Sequence, residues 1–356
     1  MKWFQLLLMA LIGAGALYLT FVGIDTAAFF AALAQVDVAV FAFGLVCFFL
    51  VHLGRSIRWG LLVQATDPQV GFRAYFSICS VGFFLINVLP FRLGELVRPY
   101  LLFEREDVEF GSGVATVVVE RVLDIAALGL ILLGAVAFAH LPEGPLMVGE
   151  YQVDLVANGR RALLGIGVPA AALLLALIIF GDPAVALVQR AARLLGPRVE
   201  GLAVRLTTTF IDSLRALGAP RRALLVAFWS LLTWTVNVFS ILLMAKGLPF
   251  GAQLGFWEAG AILSSICVFL IVPAPPLFAG VFELAVFVGV LLVAGDPSPQ
   301  LHDEARAFAV LVHGSQFALL AGLGVFFLLV DRISVQRLFG ALRRLRSEED
   351  DGSRLP

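Results

Sequence analysis

Long apolar runs separated by short polar stretches dominate the chain. A helix that crosses a bilayer needs about 20 mostly apolar residues. The runs that meet this length are 4–23, 38–62, 112–139, 162–180, 222–245 and 305–330. Two further runs, 74–103 and 256–294, carry proline, glycine and a carboxylate near their middle. The pattern predicts an all-α polytopic membrane protein with about six full spans and two broken hairpins, either re-entrant or built from short helices.

The two broken runs share a local sequence. One contains Ser77-Ile78-Cys79 and the other Ser265-Ile266-Cys267. The residues that interrupt them are Pro90, Gly94, Pro273, Pro275, Pro276 and Gly280. Backbone without helical hydrogen bonds is tolerated at membrane depth only where protein or a watery cavity surrounds it. A broken segment in each half is therefore the pattern typical of a transport or lipid-handling site.

Composition supports the membrane assignment. Hydrophobic residues make up 60% of the chain, charged residues 14%, and the mean hydropathy is +0.97. These values exclude a soluble protein of this length. The stretches without a membrane signal are too short to form a domain with its own core. We therefore predict that residues 1–356 form a single integral membrane domain.

Arginine collects between 181 and 222 and again in the C-terminal tail. Cytoplasmic loops carry an excess of Lys and Arg, so both segments, and with them both termini, are predicted to be cytoplasmic. The span count then makes 74–103 start and end inside, while 256–294 starts and ends outside. Opposed hairpins are what an inverted repeat produces. We predict a first repeat at about 38–139 and a second at about 222–330.

The segment 181–221 interleaves apolar residues with arginine at helical spacing. It is interpreted either as an amphipathic helix on the cytoplasmic leaflet or as a solvated linker helix. The acidic tail, residues 347–356, is predicted to be disordered.

Charged residues lie inside the predicted spans, where each costs at least about 2.5 kcal/mol unless it is paired. Glu120, Arg121 and Asp124 lie in the third span, roughly 12–18 Å from its start. Arg121 can reach Asp124 at i, i+3. The triad is either a structural ion-pair network or part of a functional site. Its net negative charge calls for another cation, for which Arg92 and Arg98 are candidates.

Arginines are the candidate ligands for an anion. Guanidinium groups bind phosphate oxygens bidentately, which suits a phospholipid or a lipid-linked phosphate better than a neutral sugar. Alternatively, the hairpin arginines only hold the hairpin against the next span. Arg55 and Arg58, which lie near His52 and Trp59, could instead snorkel to the interface. The predicted headgroup-binding residues are Arg55, Arg58, Arg92, Arg98 and Arg121.

A second set of residues could balance or exchange these charges, namely Glu95, Glu120, Asp124, Glu283 and His313. A buried histidine is usually a packed, hydrogen-bonded residue, so a structural role for His313 is the alternative. The sequence contains no P-loop, GxSxG motif, dinucleotide-binding glycine motif or metal-ligand spacing. We expect no enzyme activity, metal, cofactor or nucleic-acid partner.

These residues lie in segments that resemble the lysylphosphatidylglycerol synthase transmembrane-region family, flippase-like membrane proteins related to the N-terminal half of the multiple peptide resistance factor. The resemblance rests on HLGRSIRW (52–59), LPFRLGELVRPYLL (89–102), VVVERVLDIAAL (117–128), Gly280 with Glu283, and His313. The late turn departs from the glycine-rich Pro-Gly-Gly-x-Gly stretch expected of the family. The sequence lacks the synthase half of larger relatives, so aminoacyl transfer is not implied.

The resemblance implies movement of a charged or glycosylated lipid between the leaflets of a bacterial or archaeal inner membrane. Our leading hypothesis is a flippase-like transporter of an anionic phospholipid or lipid-linked phosphate. One alternative is a non-transporting partner that presents a lipid to a separate synthase or glycosyltransferase. Another is an intramembrane enzyme that uses the Glu and Asp residues as acid and base.

Overall fold

The computed structural model describes most of the 356 residues. The described ranges are 2–89, 94–141, 146–148, 151–153, 181–194, 220–271, 275–294 and 298–336, with a few single residues elsewhere. The predicted span 162–180 and the acidic tail lie outside these ranges. Pro90, Arg92 and Pro273 also lie outside them.

The described residues form eleven helices, one pair of short strands and two 3₁₀ turns. The helices are α1 (Lys2–Phe21), α2 (Thr26–Ala34), α3 (Val38–Thr66), α4 (Phe72–Val88), α5 (Gly94–Glu106), α6 (Phe110–Phe138), α7 (Asp182–Arg193), α8 (Pro220–Lys246), α9 (Phe256–Phe269), α10 (Val281–Ala294) and α11 (Pro299–Val330). The 3₁₀ turns are Pro249–Gln253 and Pro276–Phe278. The strands β1 (Leu146–Val148) and β2 (Tyr151–Val153), which the sequence did not predict, pair antiparallel.

Five of the described helices are long and apolar enough to cross a membrane: Val38–Ala65, Phe110–Phe138, Arg221–Lys246, Pro276–Ala294 and Pro299–Val330. A sixth span is formed if α1 and α2, bent by 83° at residues 22–25, are counted as one. The all-α polytopic fold is confirmed. The second arm of the later hairpin is itself long and apolar enough to be counted among these candidate spans.

Helices α3–α6 and α8–α11 have the same order of long, short, short and long helices. The contacts of one half are repeated in the other. The first long helices, α3 and α8, pack against each other. The first hairpin helix of each half packs against the last long helix of the other half, in the pairs α4–α11 and α9–α6. The second hairpin helix packs against the last long helix of its own half, in the pairs α5–α6 and α10–α11. This exchange of partners is the arrangement that two similar units of opposite topology produce.

The two hairpins, α4–α5 and α9–α10, enter the bundle from opposite ends. At one end Asp331, which follows α11, accepts hydrogen bonds from Arg105 at 2.9 Å and from Ser77. At the other end Glu258, in the first turn of α9, accepts a hydrogen bond from the backbone N–H of His140 at 2.7 Å. Each hairpin is thus bound at its base to the end of a long helix from the other half. Which end is cytoplasmic stays a prediction.

Glycine is required at the break of each hairpin. Gly280 has φ +83°, a conformation that costs other residues about 1–2 kcal/mol, and a Cβ there would collide with the carbonyl oxygen of Gly13 on α1. A Cβ on Gly94 would collide with the backbone of Ile86. The glycines that mark the breaks in the sequence therefore permit close backbone packing at both tips.

Candidate functional site

Five charged side chains from α3, α5 and α6 meet inside the first half, and we call them the arginine–carboxylate cluster: Arg58, Arg98, Glu120, Arg121 and Asp124. Glu120 is the centre of the cluster. Its carboxylate accepts hydrogen bonds from Nη1 of Arg98 at 2.7 Å and from Nη2 of Arg121 at 2.8 Å. Nη2 of Arg58 lies 3.3 Å from the same carboxylate.

Asp124 is the second acidic residue of the cluster. Its Oδ1 accepts hydrogen bonds from Nη1 of Arg58 at 2.7 Å and from the indole N–H of Trp234 on α8 at 3.0 Å. Its Oδ2 lies 3.3 Å from Nη2 of Arg121, so the predicted pair is present. Since Glu120 and Asp124 are four residues apart on α6, they face the same neighbours. The cluster thereby joins α3, α5, α6 and α8.

Local sequence makes room for the Arg98 side chain and holds it in place. Arg98 extends from α5 past Gly82 of α4, where any Cβ would collide with its methylene chain. Its guanidinium lies 5.3 Å from the ring centre of Trp59 and 4.9 Å from that of Phe83, within range of cation–π attraction. Trp59 is fixed in turn by a 3.0 Å hydrogen bond to Thr116. The aromatic residues therefore help to orient the guanidinium toward Glu120.

Three members of the cluster are removed from solvent. Arg58, Arg98 and Glu120 each have a relative exposure of 0%, whereas the Arg121 side chain is 38% exposed. A buried charge is costly unless it is paired and its remaining donors find acceptors. Yet the buried Nε atoms of Arg58, Arg98 and Arg121 find no hydrogen-bond acceptor among the described residues. The cluster therefore retains guanidinium donors that no described residue satisfies.

Arg55 adds a fourth guanidinium, one turn before Arg58 on α3. It is half-buried and lies 5.6 Å from the ring centre of Phe83 on α4 and 5.8 Å from that of Trp234 on α8. It forms no ion pair with a described carboxylate. The Trp234 ring that it contacts also donates to Asp124, so Arg55 adjoins the cluster directly.

The structure corrects one interpretation of the second span. Snorkelling of Arg58 to the membrane interface was the wrong alternative, because Arg58 is completely buried and bound to Asp124. The hydropathy pattern placed Arg58 near the end of its span, but α3 continues to Thr66 and α4, α6 and α8 pack around it. Of the other predicted residues, Glu95 lies in the first turn of α5.

Glu283 and His313 form a second polar pair in the other half. His313 Nδ1 lies 2.7 Å from Glu283 Oε1, and the side chains are 13% and 14% exposed. The other oxygen of Glu283 accepts the backbone N–H of Gly280 at 2.7 Å, and the His313 ring stacks on Phe282. No ion pair among the described residues joins this pair to the cluster, so the predicted residues fall into two separate groups.

Sequence reasoning missed Trp234 and Ser230 of α8, which both contact the cluster. Neither residue is charged, and both stand in an ordinary apolar run. Their role follows only from the packing of α3 against α8, where Gly44 and Gly54 allow close approach of the helices.

The cluster offers hydrogen-bond donors and positive charge in place of a free carboxylate. Each carboxylate contacts at least two arginines, so neither is free to act as a general base. The arginines, in contrast, retain buried donors, and guanidinium groups are the preferred partners of phosphate oxygens.

Comparison with known proteins identifies the family. The family model described as the lysylphosphatidylglycerol synthase TM region matches residues 6–324. The chain belongs to this family. The match includes every residue of the cluster, and also Glu283 and His313.

Two curated relatives are similar to the chain. One is a Haloferax volcanii protein named glycosyltransferase AglD, 25% identical over 339 residues, which are 87% of this chain and 52% of the relative. The other is a UPF0104 membrane protein of Methanocaldococcus jannaschii, 35% identical over 79 residues, which are 22% of this chain and 24% of the relative. The chain thus spans about half of the first relative and a quarter of the second. No solved structure matches the chain.

Proposed function

We propose that this member of the lysylphosphatidylglycerol synthase transmembrane region family moves an anionic phospholipid or lipid-linked phosphate between the leaflets of a cytoplasmic membrane. The observation that carries the proposal is the arginine–carboxylate cluster, whose three arginines retain buried guanidinium donors. A lipid phosphate would supply acceptors for these donors and negative charge for the arginines. Arg55 would bind the same headgroup from its place between Phe83 and Trp234.

Two further features support lipid movement. The hairpins α4–α5 and α9–α10 enter the bundle from opposite ends, as the broken helices of transporters with alternating access do. In addition, the Arg121 side chain is 38% exposed on α6, and Ile125, one turn further on, is exposed as well. A headgroup could therefore reach the cluster sideways from the bilayer while its acyl chains stay in lipid.

The test is a translocation assay in liposomes that contain the purified protein and a fluorescent anionic phospholipid. Wild-type protein is expected to accelerate movement between leaflets, and Arg55→Gln to reduce the rate at least tenfold. Arg55→Gln removes a charge that has no described carboxylate partner, so its melting temperature should stay close to that of the wild type. Arg221→Gln, an exposed arginine at the start of α8, is the matched control and should translocate normally. No acceleration of any anionic or isoprenoid lipid by folded protein would refute transport.

The name of one relative favours a second candidate function. The Haloferax volcanii protein is named a glycosyltransferase, and this chain matches about half of its length. In this alternative the membrane domain binds a lipid phosphate and presents it to a separate glycosyltransferase or synthase. Lipid binding at the cluster without accelerated translocation would select this alternative.

A further inference from the structure

The charges of the cluster do not balance. Arg55, Arg58, Arg98 and Arg121 face Glu120 and Asp124, which leaves an excess of two positive charges. His52, which bonds to Ser80 at 2.9 Å, can only add positive charge.

An excess of this size matters because of where it lies. Two of the arginines and Glu120 are completely buried, and charges interact far more strongly in a low-dielectric interior than in water. A ligand with one negative charge leaves one positive charge uncompensated, whereas a dianion neutralises the cluster. A terminal phosphate also presents three charged oxygens to the buried Nε and Nη donors, while a phosphodiester presents two.

We infer that the site takes a lipid whose headgroup is a dianionic phosphate, either a phosphomonoester or a diphosphate, in preference to a phosphodiester lipid. This inference rests on the proposed function and specifies its substrate class. Arg55 is the specificity-determining residue, because it adjoins the cluster and forms no ion pair with a described carboxylate. Arg55 lies over the rings of Phe83 and Trp234, and the Trp234 ring donates to Asp124. The Arg55 charge is therefore held near Asp124 without a direct ion pair between the two residues.

The experiment compares binding of phosphatidic acid and phosphatidylglycerol with identical acyl chains to the purified full-length protein in detergent, by titration at pH 8. Phosphatidic acid carries a phosphomonoester, with a second pKa of about 6, and phosphatidylglycerol a phosphodiester. Wild-type protein is expected to prefer phosphatidic acid at least tenfold. At pH 5 the monoester is singly charged, so the preference should fall to about twofold or less.

Two variants separate charge from shape. Arg55→Gln should reduce the preference to about threefold or less, whereas Arg55→Lys, which keeps the charge, should retain most of it.

Equal binding of both lipids by the wild type would overturn the inference and leave anionic lipid transport standing. A preference unaffected by Arg55→Gln would overturn the role of Arg55. Failure of folded protein to bind either lipid would overturn both the inference and the proposed function. If Arg55→Gln does not fold, the pH dependence of the wild type decides.

Discussion

The two halves of the molecule use the same helix order for different purposes. In the first half, the middle of α6 carries Glu120, Arg121 and Asp124, all within the cluster. In the second half, α11 carries His313 near its middle. The buried charges Asp303, Glu304 and Arg306 lie in the first two turns of α11, where Arg306 donates to Asp303 at 2.6 Å. The larger of the apolar cores is built from α8–α11 with parts of α3 and α6. The first half thus places its buried charge in the middle of α6, whereas the second half places it near the start of α11.

The hairpin tips differ in the same way. The second tip is held by close backbone packing of Gly280 against α1 and by the bond from its N–H to Glu283. The first hairpin is held by the buried ion pair between Arg98 and Glu120. A shared scaffold therefore does not require shared chemistry. The charges of the arginine–carboxylate cluster meet in one place, whereas the buried charges of the second half lie in the first two turns of α9 and α11.

Replacing one acidic residue in each half with glutamine is the strongest test of this contrast. Glu120→Gln leaves three arginines around a neutral amide and is expected to destabilise the protein by about 3–5 kcal/mol. The matched change Glu283→Gln keeps a single acceptor oxygen, which can serve either His313 or the Gly280 N–H, and should cost about 1–2 kcal/mol. Chemical unfolding in detergent, followed by circular dichroism, measures both. Similar losses in the two variants would contradict the division of roles between the halves.

A double variant provides the control for this prediction. Glu120→Gln combined with Arg98→Gln removes both members of the buried pair and should be less destabilising than Glu120→Gln alone, because it leaves less uncompensated charge. A double variant with the summed cost of the two single changes would instead show that Arg98 and Glu120 act independently.

Much of this architecture could be predicted from the sequence. Apolar runs of about 20 residues identified α3, α6, α8 and α11, and the proline and glycine breaks identified both hairpins. The i, i+3 spacing predicted the pair of Arg121 with Asp124. These features are encoded locally, by hydropathy and helical periodicity, and so they can be recognised in a single sequence.

The remaining features depend on tertiary packing. Whether Arg58 snorkels or pairs with Asp124 depends on which helices surround the end of α3, and hydropathy does not contain that information. Trp234 joins the cluster only because α8 packs against α3. Glu283 and His313 were identified individually, but 30 residues separate them in sequence and only the packing of α10 against α11 makes them a pair.

The second tip provides a smaller test of the comparison. Gly280→Ala introduces a Cβ at φ +83° and against the carbonyl oxygen of Gly13, so we expect a loss of about 2–3 kcal/mol in the free energy of unfolding. Gly314 on α11 has open space around it, and Gly314→Ala should be neutral or stabilise the helix by up to about 1 kcal/mol. Lipid binding at the cluster should survive Gly280→Ala, since the altered tip packs against α1 and no described ion pair joins it to the cluster. Loss of binding by folded Gly280→Ala protein would show that the second tip is part of the anion site.

The smallest expected effect concerns the base of the first hairpin. Burial alone would raise the pKa of Asp331, but hydrogen bonds from Ser77 and Arg105 and the charges of Arg105 and Arg73 hold the pKa below its ordinary value. A lowered pKa in the folded state stabilises the protein above about pH 4, the range of an unfolded aspartate, and this stabilisation is lost as the pH falls through the lowered pKa. Because Arg73 is exposed and Arg105 is partly exposed, Asp331→Asn should cost only about 1 kcal/mol at pH 7. The difference in melting temperature between wild type and Asp331→Asn should therefore be present at pH 7 and shrink as the pH falls below about 4.

The matched change at the other base, Glu258→Gln, weakens hydrogen bonds from the backbone N–H groups of His140 and Gly255 instead of an ion pair with arginine. Added salt should therefore diminish the effect of Asp331→Asn and leave that of Glu258→Gln unchanged. Equal salt sensitivity of the two variants would show that the two bases are not held by different forces.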